Sequence, residues 1–350
     1  MSGAGGMGTT RAERFATGAA AAGGARAGIG GADARADAGG AVRLDEASVF
    51  YGEVVGLSRV SLSLAPGITG VVGPNGSGKS TLMKVITGLM PPDEGSVRVL
   101  GEAPFTSHAA RSRIGFVPAL ECFHESLSGR RNLEAAFMAQ GLATADASER
   151  ADAALELSGL TADGRRRYGA WSRGMRQRLK LGLTLAGDQE IVLLDEPFLG
   201  VDPPSRRQLR QLVLRLGEAG RTVLVSSHVL HEVEALTDRV GVLAHGRLLG
   251  FGKVGELLES LRDQHPHRVR LGAAEPRRLA AALVDRPHVR EVKVAGDDAV
   301  EFVTDRPDLA YRELGVLVSE TGVAIHRVET LDAGLEAVFR HVTEAGSRRL

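Results

Sequence analysis

Gly73-Pro74-Asn75-Gly76-Ser77-Gly78-Lys79-Ser80-Thr81 is the stretch on which the reading of this chain turns. Glycines at its first and sixth positions, followed by lysine and serine, make the pattern of a phosphate-binding loop. Residues 68–72 are apolar and predict a short strand before it, and a helix is expected from about Lys79. Glycine lets the backbone bend so that its N–H groups face a phosphate. The start of the helix adds positive potential. In such a loop Lys79 reaches the outer phosphates of a nucleotide, and the Ser80 hydroxyl can bind Mg2+. The competing reading is a plain Gly-rich turn between a strand and a helix.

A second signal lies downstream in Ile191-Val192-Leu193-Leu194-Asp195-Glu196-Pro197. An apolar strand ends there in two carboxylates, and strand ends are where ligands sit in open α/β sheets. Asp195 would hold Mg2+ directly or through water, and Glu196 would polarise the attacking water as general base. Taken alone, acidic residues at a strand end are common. Paired with the phosphate loop, the reading becomes strong.

Around these two stretches the chain alternates. Residues 42–51, 59–64, 95–100 and 114–117 read as strands, with Leu62 and Leu64 alternating against Ser61 and Ser63. Residues 128–187 read as helices broken near 159–169, and 190–194, 203–219 and 222–226 follow as strand, helix and strand. This predicts an α/β core with a helical subdomain at about 120–187. Beyond about residue 262 the segments 267–271, 275–285, 289–294, 299–303, 309–319 and 323–328 read strand, helix, strand, strand, helix, strand, the ferredoxin-like order, with a last helix at 331–343. Residues 1–41 are Gly- and Ala-rich and cannot bury enough surface to offset ordering entropy, so they are expected to be disordered. The expected division is a tail at 1–41, a nucleotide-binding domain at 42–261 and a small α+β domain at 262–350.

Bulk properties narrow the function. The 350 residues carry 43 Lys+Arg and 43 Asp+Glu, a net charge of +0, without the basic surplus of a general nucleic-acid binder, so no nucleic-acid partner is expected. Cys122 is the single cysteine; no internal disulfide can form, and a reducing setting fits. No run approaches the roughly 18 apolar residues of a membrane span. Arg11 and Arg14 precede Gly/Ala rather than an apolar stretch, so no signal peptide is expected. Any membrane spans must come from another chain.

Four further segments complete a resemblance. Trp171-Ser172-Arg173-Gly174-Met175-Arg176-Gln177-Arg178 resembles the signature of ATP-binding-cassette (ABC) proteins, Leu199-Gly200-Val201-Asp202 their D-loop, His228 their switch histidine and Tyr51 their adenine-stacking aromatic. All stand in the family's order, and the resemblance covers about residues 42–260. It implies an ABC-type P-loop NTPase core that binds ATP and Mg2+, hydrolyses ATP and powers transport through a separate transmembrane permease subunit. The chain would sit peripherally on the cytoplasmic face of the cell membrane. It further implies a homo- or heterodimer of cassettes sandwiching two ATP, with Ser172, Gly174 and Asp202 acting across the dimer. Residues 119–128 would help form the groove that receives a short helix of the membrane subunit. Other roles remain open: Asp202 followed by Pro203 makes a good helix start, Tyr51 suits a strand core, and His228 suits a structural strand end or a metal pair with His231.

Two positions depart from the family. Ala119 follows Ile114-Gly115-Phe116-Val117-Pro118 where Gln is usual, with Glu121 near enough to substitute, and Arg173 stands where the signature has Gly. The run Val328-Glu329-Thr330-Leu331-Asp332-Ala333-Gly334-Leu335-Glu336-Ala337-Val338-Phe339 resembles the ending of bacterial exporter-type cassettes and favours export over import. The rival readings are a soluble ABC ATPase working on ribosomes or DNA, and a weakly hydrolysing regulatory subunit.

Overall fold

The computed structural model describes residues 40–257 and 267–331. The expected tail up to residue 39, the expected boundary at 262 and the terminal helix and motif from residue 332 lie outside the described residues. The chain divides into two compact units between Phe251 and Gly252.

In chain order the first unit holds β1 (Val42–Tyr51), β2 (Val54–Leu64), β3 (Gly67–Val72), α1 (Lys79–Ile86), β4 (Glu94–Val99), α2 (His108–Ser112) and β5 (Ile114–Val117). There follow α3 (Gly129–Ala139), α4 (Thr144–Leu157), α5 (Arg173–Ala186), β6 (Ile191–Asp195), α6 (Pro203–Glu218), β7 (Thr222–Ser227), α7 (Leu230–Glu234), β8 (Arg239–Ala244) and β9 (Arg247–Lys253), whose last two residues lie past the division. Strands β2-β1-β4 make a small antiparallel sheet. The main sheet has the order β5-β6-β7-β3-β8-β9, and β5, β6, β7, β3 and β8 run parallel.

The parallel strands are buried on both faces, which is why they read as unbroken apolar runs rather than alternating ones. Ile191 and Leu193 of β6 join the core under the small sheet and α1, whereas Val192 and Leu194 join the core under α5 and α6. A third core, built on Leu133, Phe137, Tyr168, Trp171 and Leu179, belongs to the helical subdomain. There Ala147, Ala151 and Ala154 are fully buried, and their small side chains let α4 lie close to its neighbours.

The helix starts are written locally. Ser128 caps α3 by accepting from Arg131 N at 3.3 Å. Asp202 caps α6 by accepting from Ser205 N at 3.0 Å, with proline in the first turn. The break in the helical stretch is wider than the sequence suggests: Gly141 at φ 95° ends α3, and two short 3-10 turns fill the gap between α4 and α5. The β8–β9 hairpin, absent from the sequence reading, turns on His245 and Gly246 at φ 48° and 73°, the left-handed pair that a tight hairpin requires.

The second unit contains β10 (His267–Ala273), α8 (Pro276–Val284), β11 (Val289–Val294), β12 (Ala299–Thr304), α9 (Pro307–Thr321) and β13 (Ile325–Thr330). Its sheet is antiparallel in the order β11-β12-β10-β13. That is the order a split-βαβ chain makes when each helix carries it over one intervening strand. Val269, Leu271, Val300 and Phe302 form its core with Leu279, Leu283 and Leu317 of the helices.

Candidate functional site

Parallel pairing brings the carboxyl ends of three strands level: Asp195 of β6 stands opposite Ser226 of β7, and Val72 of β3 opposite Ser227. The loop that leaves β3 bends tightly before α1. Gly78 holds φ 108°, and a Cβ there would lie 2.5 Å from the Gly56 carbonyl oxygen. A Cβ on Gly73 would lie 2.2 Å from that of Leu243. Both positions therefore require glycine on steric grounds. Pro74, Asn75 and Gly76 form the exposed crown of the loop, while Ser77 and Thr81 are buried beneath it.

Lys79, only 7% exposed, curls into this loop. Its Nζ donates to the Gly73 and Pro74 carbonyls at 2.7 and 3.1 Å and lies 3.5 Å from Glu196 Oε1. Ser80 Oγ donates to Asp195 Oδ2 at 2.8 Å, and Ser226 Oγ donates to Asp195 Oδ1 at 2.7 Å. The buried carboxylate is thus satisfied on both oxygens, and its Oδ2 shares a corner with the Ser80 hydroxyl. A hydroxyl and a carboxylate oxygen converging there are hard donors of the kind Mg2+ prefers.

Glu196 follows β6 with φ 48°, a left-handed conformation rare for a side-chain-bearing residue and found where a site over-determines the backbone. Its N–H donates to Ser226 Oγ at 2.9 Å. The turn aims the carboxylate between Lys79 and His228, whose Nδ1 lies 2.8 Å from Glu196 Oε2. His228 is itself positioned from behind. Ser227 Oγ donates to the buried Glu232 at 2.8 Å and accepts from Val229 N at 3.0 Å, and Glu232 pairs with Arg206 of α6 at 3.3 Å. Sequence reasoning missed Ser226, Ser227 and Glu232. The available signal was a pair of hydroxyls closing an otherwise apolar strand.

Tyr51 stands beside α1, with its Oη 3.4 Å from Thr81 Oγ1. It is 42% exposed, so the strand-core reading does not hold and the ring has a free face. Ser172 starts α5, and its Oγ accepts from Met175 N at 3.3 Å. Gly174 packs so closely on α6 that a Cβ would meet Ser205 at 2.5 Å, with Asp202 Oδ1 at 3.4 Å. Ser172, Gly174 and Asp202 therefore gather at two adjoining helix starts, and neither side chain among them hydrogen-bonds the 73–81 loop. Hydrogen bonding from Ser205 N holds the Asp202 carboxyl below its ordinary range. Arg173 leans on the D-loop: a Cβ on Gly200 would come within 3.1 Å of its Nη1.

Glu121 is engaged by the helical subdomain. Its Oε2 accepts from Tyr168 Oη at 2.7 Å, and its Oε1 lies 3.9 Å from Lys180. The expectation that Glu121 stands in for the side chain missing at Ala119 is therefore not met.

Residues 57–199 match the family described as ABC transporter. A daunorubicin resistance ATP-binding protein, DrrA3 of Streptomyces coeruleorubidus, is 34% identical over 307 residues, covering 87% of this chain and 96% of the relative. This chain belongs to the ABC transporter family. A Nod factor export ATP-binding protein I of Sinorhizobium fredii is 31% identical over 87% of this chain and 86% of its own length. Among solved structures, the dimeric ATP-binding cassette MJ0796 in a post-hydrolysis state, bound to ADP and Pi, aligns at a TM-score of 0.55 and 25% identity, covering 61% of this chain and 98% of that one. The chain is an ATP-binding subunit with the cassette fold and ATPase activity. No helix among the described residues is long and apolar enough to cross a membrane.

Proposed function

We propose that this ABC ATPase powers export through a separate transmembrane permease, working from the membrane's cytoplasmic face as one half of a homo- or heterodimer of cassettes. The observation that carries the catalytic part is the meeting of Lys79, Ser80, Asp195, Glu196 and His228 at the level ends of β3, β6 and β7. The direction of transport is supported by the relatives whose names specify Nod factor export and daunorubicin resistance.

In this reading the backbone N–H groups of Gly73 to Thr81 cradle the phosphates, Lys79 neutralises their charge and Tyr51 stacks on the base. Ser80 and Asp195 would hold Mg2+, which supplies charge neutralisation at the phosphate oxygens. Water attacks the γ-phosphorus, the bond to the β-phosphate oxygen breaks, and ADP and inorganic phosphate leave. Glu196 takes the proton from that water, and His228 holds the carboxylate in line through the 2.8 Å contact. The N–H groups at the start of α5, with Ser172 and Gly174, bind the γ-phosphate held by the opposite cassette, and Asp202 lies in the same seam. The helical subdomain receives the membrane subunit, and the C-terminal α+β domain lies outside the nucleotide chemistry.

The test is export itself. The chain co-expressed with a candidate polytopic membrane subunit should lower cellular retention of a cargo, and Glu196→Gln should remove that effect. Export that persists with Glu196→Gln contradicts the proposal.

A further inference from the structure

Lys180 is a buried cation on the signature helix with no part in the site so far. Only 2% of it is exposed. Its Nζ donates to the carbonyls of Leu120 at 2.8 Å and Pro118 at 3.4 Å, and lies 3.9 Å from Glu121 Oε1. Those carbonyls flank Ala119, whose own side chain offers no polar group. A buried ammonium is costly unless satisfied; burial pushes its pKa down, while Glu121 pushes it up. Met, Leu or Ala would fill the same interior at no electrostatic cost, so the retained charge calls for a use.

The geometry places that use. Val117, the last residue of β5, pairs with Leu194, the residue before Asp195. The 118–121 segment therefore leaves the sheet beside the strand that delivers Asp195 and Glu196. Lys180 lies eight residues after Ser172, two turns down the helix whose start carries Ser172 and Gly174. The segment is also held by the helical subdomain, because Glu121 accepts from Tyr168 Oη at 2.7 Å and the Arg176 guanidinium sits 4.9 Å from the Tyr168 ring centre.

We propose that Lys180 is a positioning residue for ATP hydrolysis: a buried tie that holds the signature helix in register with the 118–121 segment at the edge of the catalytic strand ends. Its ammonium is engaged by Pro118, Leu120 and Glu121, not by the phosphate loop. It acts by fixing the start of α5 relative to the strand end that carries Glu196, so that the signature residues meet the opposite cassette's γ-phosphate while Glu196 faces this chain's own. The inference rests on the ABC ATPase reading above. Because the tie lies outside the phosphate loop, its loss should lower kcat and leave nucleotide affinity alone.

The test uses the full-length chain and its Lys180→Met variant, similar in length and without charge. Binding of a fluorescent trinitrophenyl-ATP with Mg2+, steady-state ATP turnover and thermal melting are measured on both. The expected result is a Kd and KM within about 2-fold of wild type and a kcat lower by on the order of 10-fold, the scale of losing hydrogen bonds from a charged donor. Lys180→Arg, which keeps the cation, should recover most of that kcat. A folded Lys180→Met variant with wild-type kcat overturns the tie, as does a Lys180→Arg variant no faster than Lys180→Met. If Lys180→Met does not fold, Glu121→Gln removes the nearby charge and can still accept from Tyr168. It must then lower kcat by about 2- to 5-fold with Kd unchanged, and an unchanged kcat overturns the tie. Wild-type chain that binds no Mg-ATP would instead defeat the ABC ATPase reading, so the two failures are distinguishable.

Discussion

The strand ends of β3, β6 and β7 and the helical subdomain contrast in how they hold their polar groups. At the strand ends, Asp195, Glu196, Ser226 and His228 sit within a few residues of three parallel strands, and a level register brings them together without long side-chain reach. In the helical subdomain, Lys180, Glu121, Tyr168 and Arg176 meet only because helices and loops far apart in the chain pack around one core. The first arrangement is built by topology and suits chemistry that needs fixed charges. The second is a network of single side-chain ties, each of which can be removed without dismantling the strand ends. Mutations at the strand ends should therefore erase activity, and mutations in the helical network should grade it.

The sharpest way to break this contrast is Lys79→Ala. It removes the one side-chain cation built into the phosphate loop, and turnover should fall to background with nucleotide affinity lost or strongly weakened, read by ADP release and equilibrium binding. Near-normal values for both would sever the loop from the chemistry. Next in size, Glu196→Gln should keep ATP binding while slowing turnover by at least about 10²-fold, the usual scale of a general base. A freely hydrolysing variant would move the base to another residue.

Within the subdomain edge the effects shrink. Ala119→Gln adds a polar side chain between two carbonyls already tied by Lys180. It should raise basal turnover by about 5-fold or more if that side chain reaches the water; an unchanged rate would confine residue 119 to partner contact. Tyr168→Phe deletes the hydrogen bond to Glu121 and should cost about 1 kcal/mol of stability, seen as a small drop in Tm, with turnover lowered only about 2-fold. A loss of turnover as deep as that of Glu196→Gln would erase the distinction between the two regions. A truncation ending near Ser260 should change nucleotide binding least of all, since every nucleotide motif precedes it.

How much was legible in the sequence follows the same division. The strands of the parallel core announce themselves because both of their faces are buried, so Ile191 to Leu194 and Val223 to Val225 read as continuous runs. The phosphate loop is legible because its glycines are sterically required at Gly73 and Gly78. Asp202 was legible as a helix cap because capping is a local act. What stayed hidden depends on contacts between residues distant in sequence. Lys180 follows Arg176 and Arg178 on the same helix, and only the loop at 118–120 folded over it sets it apart from them. Glu121 looked close to the missing Gln in sequence, yet Tyr168, 47 residues away, takes its carboxylate. The small hairpin β8–β9 escaped because His245, a non-glycine residue at φ 48°, disguises the turn.

The central claim is that these strand ends form an ATP-hydrolysing centre completed by a second cassette. The most direct measurement is the mass of the Glu196→Gln chain by light scattering during size-exclusion chromatography, with and without Mg-ATP. The account predicts a monomer without nucleotide and a dimer with it, because ATP trapped between the phosphate loop and a partner's signature helix is no longer consumed. A variant that binds ATP yet remains monomeric at both conditions would contradict it.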